Sequence, residues 1–235
     1  MLTALGWGAL AASSLVIGAL LALVRHWDPA PVGAVLGFGA GALISSVAFE
    51  LAEEGLRIGG PEFVAAGLAL GAVTFFLADR GVERMGGREG GGSAGLPLAL
   101  GSLLDGIPEQ AVLGIGLATG QGVSVALLVA IFVSNLPEGI GSAADMRAAG
   151  KTPRAVIRLW VGVAVLCALA TLGGFVLADV VGGGVKAAIN GFAAGALLVM
   201  LVDSMVPEAK EKAGNGAGLA TVLGFAVAAA LSNLT

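Results

Sequence analysis

Long apolar runs, broken by short charged or Gly/Pro-rich stretches, dominate the pattern of the chain. Eight such runs occur, at about 2–24, 32–52, 63–78, 96–119, 123–144, 155–180, 185–206 and 217–234. A hydrocarbon core of about 30 Å is crossed by about 20 helical residues, so each run can form or nearly form a membrane span. The pattern predicts an all-α membrane protein with eight transmembrane helices in a single domain over residues 1–235.

The composition supports lipid as the solvent. Hydrophobic residues make up 57% of the chain and charged residues 12%, with a mean hydropathy of +0.97. Soluble domains carry about a quarter charged residues. Eight spans leave no room for a soluble catalytic domain. The net charge of −4 comes with basic residues scattered among the loops, which excludes a nucleic-acid surface.

The basic residues are divided unequally between the two sides of this layout. One side receives only Arg57 and Lys186, whereas the other receives Arg25, Arg80, Arg84, Arg88, Arg147, Lys151, Arg154, Arg158, Lys210 and Lys212. Basic loops stay in the cytoplasm, so the second group is predicted to be cytoplasmic and both termini to be outside. We therefore expect a multi-pass protein of the cytoplasmic membrane. The first run lacks a basic leader and is too long for a signal peptide, so it is read as a retained span.

Two segments share a four-residue sequence motif. Ala40–Leu43 in the second run reads Ala-Gly-Ala-Leu, as does Ala194–Leu197 in the seventh, and the same register pairs Glu54 with Glu208. These helices run in opposite directions in the predicted topology, which indicates an inverted repeat with a 3+2+3 arrangement of helices. A chance match in an Ala/Gly-rich chain is the alternative.

The fourth and fifth runs each contain a polar motif in the middle of an apolar span. Residues 105–110 read Asp-Gly-Ile-Pro-Glu-Gln and residues 134–139 read Ser-Asn-Leu-Pro-Glu-Gly. The two prolines are nearly equidistant from the turn at 120–122, so an antiparallel hairpin brings both Pro-Glu steps to the same depth. Each proline also frees a backbone carbonyl, which a bound cation could satisfy.

The acids of these motifs need a positive partner. Asp105, Glu109 and Glu138 each cost roughly 2.5–3.5 kcal/mol at the bilayer centre even on a lenient scale. No Lys or Arg lies between Arg88 and Arg147. A metal ion or protons are therefore the expected partners. The alternative is that Pro-Glu marks structural kinks in which a protonated Glu bonds to neighbouring carbonyls.

Several other residues are candidates for the path or for supporting the ligands. Asp203 is a further intramembrane acid, followed by Glu208 at the end of the seventh run. Glu50, Gln110 and Cys167 complete this group. The single histidine, His26, lies between Arg25 and Trp27 at a helix boundary and is read as an interfacial residue.

These motifs resemble the signature of the ZIP (Zrt/Irt-like) metal transporter family. Its fourth helix typically carries His-Asn-x-Pro-Glu and its fifth a polar-polar-x-Pro-Glu-Gly. The matching positions here are Pro108, Glu109, Asn135, Pro137, Glu138 and Gly139. The resemblance implies a transporter of divalent metal cations, with Asp105, Glu109, Ser134, Asn135 and Glu138 as metal ligands. It also implies uptake into the cytoplasm and alternating access by movement of one helix bundle against the other.

The chain departs from this family at positions that bear on the substrate. Asp105-Gly106 stands where the family usually has His-Asn, and Ser134 stands where His or Gln is frequent. The His-rich cytoplasmic loop is missing from the predicted linker at 80–95. Oxygen donors suit Mn²⁺ and Fe²⁺ as well as Zn²⁺, so broad selectivity among these ions is expected.

The expected partners are divalent cations as substrate and the lipid bilayer, with no prosthetic group and no nucleic acid; a homodimer is a candidate assembly. Two rival functions stay open. One is a ZIP-like fold whose degenerate site serves as a sensor, a scaffold or a carrier of a non-metal solute. The other is an intramembrane enzyme that uses the acids, although the chain has no Gly-x-Gly-Asp motif.

Overall fold

A computed structural model describes residues 1–84, 95–118 and 123–232. In these ranges the chain forms eight helices and no strand, in agreement with the predicted all-α class. The helices are α1 (Leu2–Val24), α2 (Pro29–Gly59), α3 (Pro61–Arg84), α4 (Gly95–Ala118), α5 (Val125–Ala148), α6 (Pro153–Val180), α7 (Gly183–Ala213) and α8 (Gly216–Ser232).

Six of these helices, α1, α2, α3, α5, α6 and α7, are long and apolar enough to cross a membrane. Helix α8 is apolar but has 17 residues. Helix α4 has 24 residues and contains the polar run around Pro108. By length and composition, the chain is therefore a multi-pass membrane protein.

Local sequence signals explain where several helices begin. The Ser124 hydroxyl accepts a hydrogen bond from the Leu127 amide at 3.1 Å and caps α5. Thr152 caps α6 in the same way, and Pro153 occupies the first turn, where its missing N–H is not needed. Helix α3 ends at Arg84, so the first residues of the predicted linker are helical, and 85–94 lie outside the described residues.

Helices α2 and α7 are both longer than their apolar runs. Each has 31 residues and continues through a polar last segment, Glu53–Gly59 in α2 and Val206–Ala213 in α7. Each also contains a π-helical segment, Val47–Ala52 in α2 and Leu201–Met205 in α7. Hydropathy locates the apolar part of such a helix but not its polar extension.

The features of α7 repeat those of α2 at a constant spacing. Helix starts Pro29 and Gly183 lie 154 positions apart, as do the π starts Val47 and Leu201. The same spacing separates the helix ends, Gly59 and Ala213. It also separates Gly60 and Gly214, which turn the chain with φ of 90° and 57°. Only glycine adopts such φ values readily, so both turns require it.

The two long helices run antiparallel. The start of α2 lies against the end of α7, because a Cβ on Gly33 would lie 2.5 Å from the Lys212 Cβ. The end of α2 lies against the start of α7, where a Cβ on Gly59 would lie 2.5 Å from the Ala187 Cβ. Helix α8 packs along α2, and α3 packs along α7.

The helices pack as two groups. One group consists of α2, α3, α7 and α8, and the other of α1, α4, α5 and α6, in which α4 packs along α6 and α1 packs on α5 and α6. Contacts of α2 with α5 and of α4 with α7 join the groups. The polar motifs of α4 and α5 therefore lie where one group meets the other.

Candidate functional site

A cavity of 1110 Å³ lies between the two helix groups. Its wall is built from the middle of α4 and α5, the second half of α7, and the connection between α1 and α2. It extends from Glu109 and Asn135 to helix ends marked by Arg25, Asp145 and Lys212. One space therefore joins the polar motifs to one end of the helix bundle.

Four of the five predicted ligands line this cavity: Glu109, Ser134, Asn135 and Glu138. Glu109 is 1% exposed, Asn135 2% and Ser134 4%, while Glu138 is half-buried. All four lie near the middle of 24-residue helices, and Pro108 and Pro137 are inside those helices without ending them. The two motifs that are 29 positions apart in sequence thus face the same space.

The fifth predicted ligand, Asp105, has a side chain that lies outside the described residues. The predicted ligands that can be placed are thus two carboxylates, one hydroxyl and one amide. Among the described side chains, no three His, Cys, Asp or Glu form a group that could hold a metal ion. Any complete metal shell here would need neutral oxygen donors or Asp105.

The polar side chains around Glu138 are held by neighbouring groups. The Ser102 hydroxyl of α4 donates a hydrogen bond to the Glu138 carboxylate of α5. The Ser134 hydroxyl donates to the Ile131 carbonyl at 3.0 Å within its own helix. Gly39 lets α2 approach this point, since a Cβ there would lie 2.8 Å from the Ser134 Cα. The carboxylate is thus oriented from α4, and α2 closes one side of the site.

Asn135 has a buried amide with unused hydrogen-bonding capacity. Its Nδ2 makes no hydrogen bond to the described residues, although the side chain lines the cavity. The amide nitrogen and oxygen of Asn can be interchanged by a half-turn of the side chain. Buried polar groups are almost always satisfied, so this amide is available to a ligand in the cavity.

The remaining sequence candidates divide into two sets. Asp203 and Glu208 line the cavity. Gln110 and Cys167 are fully buried and do not line it: Gln110 Oε1 accepts from the Thr171 hydroxyl at 2.6 Å, and Cys167 packs against Gly106. Both contacts join α4 to α6. Gln110 and Cys167 therefore contribute to the packing of α4 against α6.

Glu50 lies away from the cavity, in the π segment of α2. Its carboxylate is within hydrogen-bonding reach of the Ser124 and Ser232 side chains, at the start of α5 and the end of α8. The cavity reaches the opposite end of α5, around Asp145. Glu50 therefore belongs to the end of the bundle that the cavity does not reach.

The mouth of the cavity carries charges that sequence reasoning did not assign to the site. His26, which the sequence predicts to be an interfacial residue, lies in the cavity wall beside Arg25 and Trp27. Opposite them, Lys212 Nζ pairs with Glu208 Oε1 at 2.6 Å. Among the described side chains that line the cavity, six are acidic and two are Lys or Arg: Glu109, Glu138, Asp145, Asp203, Glu208 and Glu211 against Arg25 and Lys212.

Of the residues that were missed, Ser102 had a usable signal. It lies seven positions before Glu109, two helical turns away, and so on the same face of α4. Lys212 had a weaker signal, its spacing of four from Glu208, which on a helix brings the two side chains together. The sequence pointed to Glu208 as a candidate for the path, but nothing in it indicated that Lys212 faces the same cavity as Glu109.

No protein-family model matches the chain. A curated protein of Arabidopsis thaliana that carries the name "Putative zinc transporter" is 27% identical to it over 232 residues. The alignment covers 95% of this chain and 37% of the relative. The chain therefore spans well under half the length of the curated relative that it matches.

Proposed function

We propose that the chain is a ZIP-like transporter that moves divalent metal cations of the Zn, Mn or Fe class across the cytoplasmic membrane. The observation that carries this proposal is the convergence of Glu109 and Glu138, with Ser134 and Asn135, on one cavity wall between two helix groups. Carboxylate, hydroxyl and amide oxygens are donors for such ions. Glu109 and Glu138 are the central ligands, and Asp105 is the third acid.

The charge of the cavity favours a cation as its occupant. The described part of its lining has six acidic residues and two Lys or Arg. Glu109 is almost fully buried, and a buried carboxylate needs a cation, a proton or several hydrogen bonds to offset its lost hydration. A divalent ion supplies two positive charges at one point and can be shared by both glutamates.

The relative from Arabidopsis adds independent support for metal transport. Its name refers to zinc, and its similarity extends over nearly the whole of the present chain. Zinc is therefore one of the expected substrates. The oxygen-rich ligand set makes Mn²⁺ and Fe²⁺ competitors, because hard donors discriminate among these ions less than imidazole or thiolate does.

The arrangement of α2 and α7 supports the inverted repeat as part of this proposal. The two helices run antiparallel and share their length, π segments and glycine turns at one spacing. Three helices at each end around the central pair α4–α5 would then be related by a pseudo-two-fold axis, as in many transporters. Movement of one group of four helices against the other would expose the site alternately to the two sides.

The basic residues orient this arrangement. Arg25, Lys212 and the other basic side chains of that end are cytoplasmic by the positive-inside rule. The cavity reaches that end, so it leads from the site to the cytoplasm, and Glu50 lies towards the outside. Entry of the ion into the cytoplasm is the direction that this layout supports.

A second candidate function is a ZIP-like fold that carries a non-metal solute or serves as a sensor or scaffold. The observation in its favour is that the described side chains contain no group of three acidic, His or Cys ligands. Purified protein in vesicles separates the two. A metal transporter gives saturable metal uptake, whereas a sensor or a carrier of another solute gives none.

The test of the central ligands is metal uptake by the variants Glu109→Gln and Glu138→Gln in proteoliposomes. Each should lower uptake of Zn²⁺ and Mn²⁺ to near the background of empty vesicles, because the amide removes a ligand charge at nearly the same volume. Glu62→Gln is the matched control, since Glu62 is exposed at the start of α3 and outside the cavity. Wild-type uptake by either cavity variant, with normal folding, would show that the acids are structural.

A further inference from the structure

The cavity mouth contains a lysine, Lys212, that lines the cavity. Lys212 Nζ lies 2.6 Å from Glu208 Oε1, and both residues line the cavity. Asp145, from α5, is close enough to interact electrostatically with both charges. A cation that left the proposed central site through this mouth would pass a place where three charged side chains lie close together.

Two glycines from different helices leave room for this lysine. A Cβ on Gly33 of α2 would lie 2.5 Å from the Lys212 Cβ, so the stem of the side chain lies directly on the backbone of α2. A Cβ on Gly141 of α5 would lie 3.3 Å from Nζ and 3.9 Å from Glu208 Oε1. Lys212 is thus enclosed by three helices, and its side chain is 26% exposed.

The neighbouring Lys210 has a different setting on the same helix. It is exposed, lies outside the cavity, and donates a hydrogen bond to the Asn215 side chain at 2.7 Å. The two lysines carry the same charge and differ by two positions, so one faces the cavity and the other faces away from it. Lys210 is a matched control for the charge of Lys212.

We propose that Lys212 is a tethered cation that competes with the departing metal ion for the acidic mouth. Resting on the proposed function, the inference concerns release of the ion. With no ion in transit, the ammonium group pairs with Glu208 and offsets part of the negative charge of Glu208 and Asp145. An arriving divalent ion displaces it, since a half-exposed ion pair is weak. When the ammonium group returns to Glu208, it displaces the metal ion, so that the ion does not stay bound at the mouth.

The first test measures Mn²⁺ binding by electron paramagnetic resonance in nanodiscs. All proteins carry Glu109→Gln and Glu138→Gln, so that the central site does not contribute. Adding Lys212→Gln should tighten Mn²⁺ binding at the mouth about two- to fivefold, the range expected when an ion pair of this kind is removed. Lys210→Gln should leave the affinity unchanged, and a further Glu208→Gln should abolish the gain given by Lys212→Gln.

The second test uses the unmodified chain and does not depend on the folding of a variant. Amine acetylation followed by mass spectrometry reports the reactivity of Lys212 and Lys210 with and without Mn²⁺. Mn²⁺ should raise the reactivity of Lys212 about two- to fivefold, because the ion takes its place on Glu208, and should leave Lys210 unchanged. Reactivity of Lys212 that is independent of Mn²⁺ would overturn the inference.

Transport measurements distinguish a failure of this inference from a failure of the proposed function on which it rests. Lys212→Gln vesicles should show a lower maximal rate and a lower KM than wild type, because tighter retention at the mouth slows release, and Lys210→Gln vesicles should match wild type. Equal behaviour of the two variants, with normal wild-type uptake, would overturn the role of Lys212. Absence of wild-type uptake would instead contradict the proposed function.

Discussion

Glu109 is the most deeply buried of the described acids that line the cavity. It is 1% exposed in the middle of α4, whereas Glu138 is half-buried and accepts a hydrogen bond from Ser102. Placing a charge this deep costs several kcal/mol unless it is compensated. The same two residues that were singled out by the Pro-Glu pattern therefore gain a physical reason to bind a cation; that they do so stays a prediction.

At the same scale, Asp105 is expected to set the choice of metal. Replacing Asp105 by His would introduce the imidazole that the ZIP family usually has at this position and would remove one negative charge. Both changes favour Zn²⁺ over Mn²⁺. The expected result is a higher Zn/Mn uptake ratio for Asp105→His than for wild type, measured with both ions in competition in the same vesicles.

Asp105→Asn is the control, since it removes the charge without adding a nitrogen ligand. It should lower uptake of both ions without the gain in zinc preference. An unchanged Zn/Mn ratio in Asp105→His would mean that Asp105 does not touch the ion, and the match of the α4 motif to the family signature would have to be redrawn.

The limits of sequence reasoning are also visible in single residues. Glu109, Ser134, Asn135 and Glu138 could be proposed from sequence because charged and amide groups in an apolar run are costly and so conspicuous. Ser102 was missed because serine is common and inexpensive in membrane helices. Gln110 looked equally polar but bonds to Thr171 on α6, and only the rotation of α4 decides which face meets the cavity.

At the scale of elements, hydropathy predicted the α class and the eight helices of the described residues, of which six are long and apolar enough to cross a membrane. It did not predict the last turns of α2 and α7, because Glu53–Gly59 and Val206–Ala213 have charged residues that a membrane scale reads as loop. Hydropathy also did not predict the π segments, because a π turn differs from an α turn by about one residue and has no characteristic composition. The recurring Ala-Gly-Ala-Leu motif at Ala40 and Ala194, with Glu54 and Glu208 in the same register, is the sign of their common spacing in the sequence.

Close backbone contact at two glycines should be required for the packing of the long helices. A Cβ on Gly71 of α3 would overlap the Phe192 carbonyl of α7, and one on Gly224 of α8 would overlap the Phe38 carbonyl of α2. Gly71→Ala and Gly224→Ala should each destabilise the fold by about 1–3 kcal/mol, because backbone atoms cannot move aside as a side chain can. Thermal unfolding in detergent measures this.

Gly6→Ala provides the comparison. A Cβ on Gly6 of α1 would meet nothing within 4 Å, and alanine is the better helix former by roughly 0.5–1 kcal/mol. This variant should melt at or above the wild-type temperature. If Gly71→Ala or Gly224→Ala had the same melting temperature as Gly6→Ala, the close contact of α3 with α7, or of α8 with α2, would be contradicted.

At the scale of the whole molecule, the position of the cavity between two four-helix groups connects the fold to the proposed transport. Residues from both groups line it, so relative movement of the groups would change its access. Under the proposed function, an ion would pass between the buried Glu109 and the charged mouth at one end of the helix bundle. The direction of that movement relative to the cell depends on the orientation of the chain in the membrane.

The orientation is tested by cysteine labelling in intact cells. In a Cys167→Ala background, cysteines introduced near Arg84 or Arg154 should resist an impermeant thiol reagent, because the excess of basic residues places them in the cytoplasm. A cysteine near Thr235 should react. The reverse pattern would place the cavity mouth outside and would contradict uptake into the cytoplasm.

The most direct measurement for the central claim is crystallographic. Anomalous diffraction at the Mn edge, from crystals grown with Mn²⁺, locates the ion without assumptions about its ligands. The expected result is a peak in the cavity within bonding distance of Glu109 and Glu138, with Asn135 or Ser134 beside it. A protein that transports Mn²⁺ but shows the peak elsewhere, with none between the two glutamates, would contradict the account.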